Sequence, residues 1–163
     1  MAFDYTTLII NRTIEDVERW RMLRNKGYAN MTASEKVEWL SRTMRGAYNH
    51  TDLNRVGSAL NDLRDRLYDA GYIPYVKDFA AKTDWNINDI PTAADLTAYL
   101  NAVSIIRGAM ARYSYTPVVP ANVGSLSYSE ANDIEKILSD VDILINNMIA
   151  ARYYCGELFT GEV

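Results

Sequence analysis

The sequence predicts a mainly α fold: a helical bundle of about five helices, in which a short N-terminal helical hairpin precedes three longer helices and an extended arm precedes both. Hydroxyl residues repeatedly stand three positions ahead of an acid at the start of an apolar run, which is the spacing of a helix N-terminal capping box. The runs themselves repeat at alternating three- and four-residue steps, the period of one helix face. At 163 residues and 48% hydrophobic content, the chain is long enough for one ordinary domain with its own core.

Residues 1–12 form the arm. Thr6, Thr7, Leu8, Ile9 and Ile10 make a short β-branched and apolar run, and such a strand can add to the sheet edge of a neighbour. Leu8, Ile9 and Ile10 are therefore candidate partner-docking residues.

Residues 13–48 form the hairpin. Thr13 with Asp16 and Thr32 with Glu35 mark two helix starts. The stripes that follow are shorter than those further on: Val17, Trp20, Leu23 and Gly27, then Val37, Leu40, Met44 and Ala47. Tyr28 and Trp39 are the expected packing anchors.

Residues 49–163 form a three-helix unit with irregular connections at 72–91 and 114–126. Its first helix starts at Thr51 or Asp52, carries Leu53, Val56, Leu60, Leu63, Leu67 and Ala70, and stops at Gly71, a residue suited to the left-handed turn after a helix. The second opens at the Thr92–Asp95 pair and carries Leu96, Tyr99, Val103, Ile106, Met110 and Tyr113. The third opens at Ser127–Glu130 and carries Ile134, Ile137, Val141, Leu144, Met148 and Ala151. Pro74 and Pro91 mark the first connection; Pro117, Pro120 and Gly124 mark the second. A stripe of two or three heptads does not say whether its partner lies in the same chain, so subunit contacts in a homo-oligomer are as compatible with it as a core.

Net charge is −4, unevenly spread: residues 127–163 hold seven acids and two bases, a net of −5, leaving +1 for residues 1–126. No Lys/Arg cluster stands out, which disfavours phosphate neutralisation and hence nucleic-acid binding. A single cysteine, Cys155, cannot form an internal disulfide, and no apolar stretch approaches the ~20 residues of a membrane span. Synthesis and folding in a reducing cytoplasm, without a secretory signal, is the expectation. The Asn-x-Ser/Thr sequons at Asn11, Asn30 and Asn49 are then better read through helix capping than glycosylation.

No catalytic, cofactor or metal residue is assigned. His50 and Cys155 share no local motif, and Asp62, Asp65, Asp69, Asp140 and Asp142 have the spacing of solvated helix charges. Asp84, Asn86, Asn88 and Asp95 imitate a calcium loop, but Asp89 replaces the glycine of the sharp turn, Pro91 interrupts the loop and Asp95 is too short for bidentate ligation. No phosphate-cradling loop, dinucleotide fingerprint or nucleophile elbow occurs. Twelve tyrosines are many for this length, and tyrosine suits interfaces and sugar stacking as well as helix-end packing. Trp85, Tyr75 and Tyr115 are the candidates for a glycan or interface contact.

Several stretches resemble proteins from the tail-gene regions of phages and prophages of gut Firmicutes. They are residues 11–17 (Asn-Arg-Thr-Ile-Glu-Asp-Val), 31–40, 46–56 (from Gly46-Ala47-Tyr48 to Asn54-Arg55-Val56), 82–85 and 128–135, so the resemblance spans most of the chain. His50 stands where an aromatic is expected in that group. The resemblance implies a non-enzymatic virion component of the tail or tail tip, in several symmetric copies and docked to other virion or tail proteins. Its location would be the virion, after synthesis in the bacterial cytoplasm. A receptor- or glycan-binding module of the tail is the alternative.

Overall fold

The structure, a computed structural model, describes residues 2–72, 76, 79–124 and 126–159, with side chains as far as residue 151. Five α-helices follow one another: α1 (Ile14–Lys26), α2 (Ala33–Ser41), α3 (His50–Asp69), α4 (Ala93–Gly108) and α5 (Tyr128–Phe159). Among the described residues there is no β-strand, and no helix is long and apolar enough to cross a membrane. The mainly α bundle expected from caps and stripes is what forms.

The capping logic holds at atomic detail. Thr32, Thr92 and Ser127 each accept from the backbone N–H three residues on, and the acid there accepts from the backbone N–H of the capping residue. Thr13 and Asp16 form a fourth box. The start of α3 differs from the expected Thr51 or Asp52. Asn49 is the cap: its Oδ1 accepts from Thr51 N at 2.8 Å while Asp52 Oδ2 accepts from Asn49 N at 2.9 Å. Asparagine caps as well as threonine does, and the acid three residues after it is the same Asp52. At the other end, Gly71 at φ +90° closes α3, with Tyr72 N bonded to Leu67 O and Gly71 N to Tyr68 O, the paired bonds of a Schellman turn.

Helices α3, α4 and α5 each pack on the other two. Their stripes meet inside the chain: Val56, Leu60, Leu63 and Leu67 of α3, Val103 and Ile106 of α4, and Ile134, Ile137, Leu138 and Ile145 of α5 are fully buried together. At these positions truncation to alanine costs about 2–5 kcal/mol. The stripe of α4 was expected to continue to Tyr113, but the helix ends at Gly108, and Met110 and Tyr113 lie beyond it. A Gly followed by an irregular Pro-containing stretch ends the helix before its apolar spacing does.

The first connection is held by α3 itself. Asn54 and Asn61, seven residues apart on one face, each bond a backbone unit in both directions: Asn54 to Trp85 N and O at 2.8 Å, Asn61 to Ala81 N and O at 2.9 Å. Between them Gly57 admits the close approach of Lys82 O, which would lie 2.5 Å from a Cβ at that position. The second connection is tied down by Thr116, whose hydroxyl donates to buried Asp140 at 2.8 Å, and by Arg107, whose Nε donates to Pro117 O at 2.5 Å.

The hairpin behaves differently from its expectation. Ion pairs from Arg19 to Glu38 (2.6 Å) and Lys26 to Glu35 (2.7 Å) join α1 and α2. The Lys26 ammonium, with the Thr32 N–H, pulls the Glu35 carboxyl down to about 2. Yet α2 stops at Ser41, with Arg42 in the left-handed region at φ 57°, so Met44 and Ala47 are not helical. Val37 is 71% and Leu40 56% exposed. The stripe of α2 is real, and nothing among the described residues covers it. Tyr28 and Trp39 anchor no core; Lys36 lies over the Tyr28 ring at 5.3 Å and Arg42 over Trp39 at 5.8 Å.

Candidate functional site

The most elaborate chemistry in the molecule is a buried ion cluster where arm, α3 and α5 meet. Arg12 is 3%, Asp52 4% and Glu135 0% exposed. Arg12 Nη2 donates to Asp52 Oδ1 at 2.9 Å and to Glu135 Oε1 at 2.6 Å. From the next turn of α3, Arg55 reaches the same acids, with Nε on Glu135 Oε2 at 2.9 Å and Nη2 on Glu135 Oε1 at 2.8 Å and on Asp52 Oδ1 at 2.5 Å. Two guanidiniums thus face two carboxylates, and the cluster is neutral as a whole. Buried charge survives only on those terms: isolated, each ion would lose several kcal/mol of hydration without return.

Local structure aims each member. Asp52 is the acid of the α3 capping box, and Arg55 follows it by three residues on the same face. Glu135 sits between the buried Ile134 and Ile137 on α5. Arg12 is held by its backbone, since Arg12 N donates to Asn132 Oδ1 at 2.9 Å and Arg12 O accepts from Asn132 Nδ2 at 3.0 Å.

The arm is part of this site. Ile9 N donates to Glu135 Oε2 at 2.6 Å and Ile9 O accepts from Arg12 Nη1 at 2.7 Å. Nearer the start, Phe3 N and the Tyr5 hydroxyl both donate to Asp62 of α3, at 3.1 and 2.8 Å. Residues 5–7 make a single 3-10 turn in place of the expected strand; Leu8 packs on the core, Ile9 is half-buried and Ile10 is 46% exposed. The arm therefore lies along its own bundle, with its backbone donors at residues 3, 9 and 12 taken by Asp62, Glu135 and Asn132.

Beside the cluster, half-buried Tyr48 and buried Tyr99 join their hydroxyls in a short hydrogen bond, and the Arg12 guanidinium stands 5.6 Å over the Tyr48 ring. Burial pushes both phenols well above their ordinary range, reinforced at Tyr48 by the Glu135 charge and at Tyr99 by Tyr48 itself. These hydroxyls act as neutral hydrogen-bonding groups.

Arg12 also lines a cavity of about 420 Å³ between the hairpin and the start of α5. Arg21 and Arg45 line it as well, with Trp20, Tyr48 and Tyr128 among the ring-bearing walls, and no carboxylate is among the lining residues. Arg21 and Arg45 are exposed; Arg45 Nη1 donates to Asn11 Oδ1 at 3.0 Å. Arg12 Nε is buried and has no hydrogen-bond partner among the described residues.

The remaining expected contacts scatter. Trp85 is half-buried against the core with Lys82 4.2 Å above its ring. Tyr115 is 63% exposed, stacked on Tyr113 with centroids 5.0 Å apart, and carries Lys136 5.1 Å over its ring. Tyr75 lies outside the described residues. Asp89 of the calcium-like stretch accepts from Asn86 N at 3.1 Å and from Lys82 Nζ at 3.2 Å, and Asp95 serves the Thr92 cap.

The cluster was legible only in part. Asp52 and Arg55 at i and i+3 look like any surface pair, but Glu135 amid apolar neighbours on α5 is a charge in a core position, and that is the signal that could have found it. No family model, no curated protein and no solved structure matches the chain.

Proposed function

We propose that the chain is a non-enzymatic structural component of a phage virion, associated with the tail or tail tip, which acts by assembling with copies of itself and with other tail proteins. The observation that carries this reading is the uncovered stripe of α2: Val37 at 71% and Leu40 at 56% exposure, on a hairpin whose helices also expose Met22 and Ile14. Isolated exposed apolar residues are ordinary, but a helix stripe at core spacing with no covering element is the mark of a contact surface. The resemblance of residues 11–17, 31–40 and 46–56 to phage tail-region proteins supports the same reading, and all three stretches lie in or overlap the hairpin.

A non-enzymatic role is supported by the state of the buried acids. Asp52 and Glu135 are consumed by guanidinium and amide donors, which leaves neither as a free base. A glycan platform built on Trp85 draws less support, because the ring is packed on the core and covered by Lys82.

The test is compositional. Mass spectrometry of purified particles is expected to find this chain in several copies per particle. Its absence from particles that contain the other tail proteins would overturn the reading.

A further inference from the structure

We propose that the cavity between the hairpin and the start of α5 receives the acidic segment at residues 156–163 of a second copy of the chain. The inference rests on the assembly reading and gives that reading a specific contact.

Charge comes first. The Arg12 charge is matched within the cluster by Asp52 and Glu135, which it shares with Arg55. The surplus at the cavity is therefore that of Arg21 and Arg45, neither of which has an ion pair among the described residues. Asp16 and Glu130, on the two helices that border the cavity, are engaged in the Thr13 and Ser127 boxes. Arg12 Nε is buried without an acceptor among the described residues. Uncompensated guanidiniums that line a cavity suit a carboxylate or phosphate.

The walls narrow the choice. Ile14, Val17, Trp20 and Tyr128 make much of the cavity apolar or aromatic, so a bare anion would leave them unfilled. A ligand that fits carries acids on an apolar body. Residues 156–163 read Gly-Glu-Leu-Phe-Thr-Gly-Glu-Val, with two acids, two large apolar residues and a valine. Two carboxylates, Glu157 and Glu162, meet two surplus guanidiniums.

Geometry then decides between the same chain and another. Ser127 and Tyr128, at the start of α5, line the cavity, whereas Glu157 lies at the far end of that helix. A helix of 32 residues spans about 48 Å at ~1.5 Å per residue. Glu162 is three residues beyond Phe159 and gains a reach of at most ~11 Å. Neither acid can return to its own cavity. The contact joins the end of one α5 to the start of the next, a head-to-tail arrangement that builds a ring or a filament.

The experiment is a charge-reversal cycle on the full chain, read by sedimentation velocity. Arg21→Glu with Arg45→Glu, and separately Glu157→Lys with Glu162→Lys, are each expected to weaken self-association at least about tenfold, and the chain carrying both reversals is expected to regain it. Arg21 and Arg45 are exposed, so helicity and melting should stay at wild-type values, which separates docking from folding. A labelled peptide of residues 156–163 is expected to bind the wild-type chain saturably and to lose the Arg21→Glu, Arg45→Glu chain. Unchanged association in both reversals, or binding of acetate or inorganic phosphate with none of the peptide, would overturn the proposal. Particles that hold the reversed chains at normal copy number would also remove it, while leaving the assembly reading in place.

Discussion

Glu135 occupies a position where leucine would be the default, and its four donors explain why a charge is tolerated there: both guanidiniums and the Ile9 N–H converge on its two oxygens. Breaking such a cluster on one side leaves buried cations without partners. Glu135→Ala is expected to lower stability by about 3–5 kcal/mol in a urea titration. The joint replacement of Arg12, Arg55, Asp52 and Glu135 by apolar residues of similar size should cost far less. The phenols beside the cluster give a pH signature. Tyr48 and Tyr99 hold their protons in the folded state above the ordinary value of 10.0. The unfolded chain releases those protons first, so it binds fewer at high pH and stability falls as pH rises past that value. Tyr99→Phe is expected to lose less stability than the wild type between about pH 8 and about pH 11. The single residues that carry the site were poorly legible, because which charges meet depends on how helices remote in sequence approach one another. Arg12 and Glu135 are separated by 123 positions.

At the scale of the element, local rules did most of the work. The boxes at Thr13, Thr32, Thr92 and Ser127 and the turn at Gly71 are decided by residues within a few positions, and all could be seen in the sequence. Thr92→Ala should cost about 1 kcal/mol in thermal or urea unfolding. What was not legible were the places where a neighbour decides. α2 and α4 end earlier than their apolar spacing does, and the arm lies on its own bundle because Asp62, Glu135 and Asn132 offer acceptors to its backbone. The pairing of Asn54 and Asn61 around Gly57 likewise appears only once residues 79–85 are seen against α3. Gly57→Ala tests that contact by sign. In a free helix interior the change would stabilise by about 1 kcal/mol. Here the Cβ would meet Lys82 O at 2.5 Å, so a loss of about 1–3 kcal/mol is expected, measured as a lower urea midpoint.

For the whole molecule, the stripes divide into two kinds. Those of α3, α4 and α5 are satisfied within the chain and build its core, while that of α2 stays exposed among the described residues. In the proposed assembly this exposed stripe supplies the contact surface, on the hairpin, at the opposite end of the sequence from the acidic segment. Val37→Asp with Leu40→Asp should leave the core and its melting transition intact, since both side chains already face solvent. Whether this surface carries the chain into a virion, as proposed, is read by quantitative mass spectrometry of particles assembled with wild-type or Val37→Asp, Leu40→Asp chain. Several copies of the wild-type chain per particle and loss of the folded variant from particles are expected. Particles devoid of the wild-type chain, or equally rich in the variant, would contradict it.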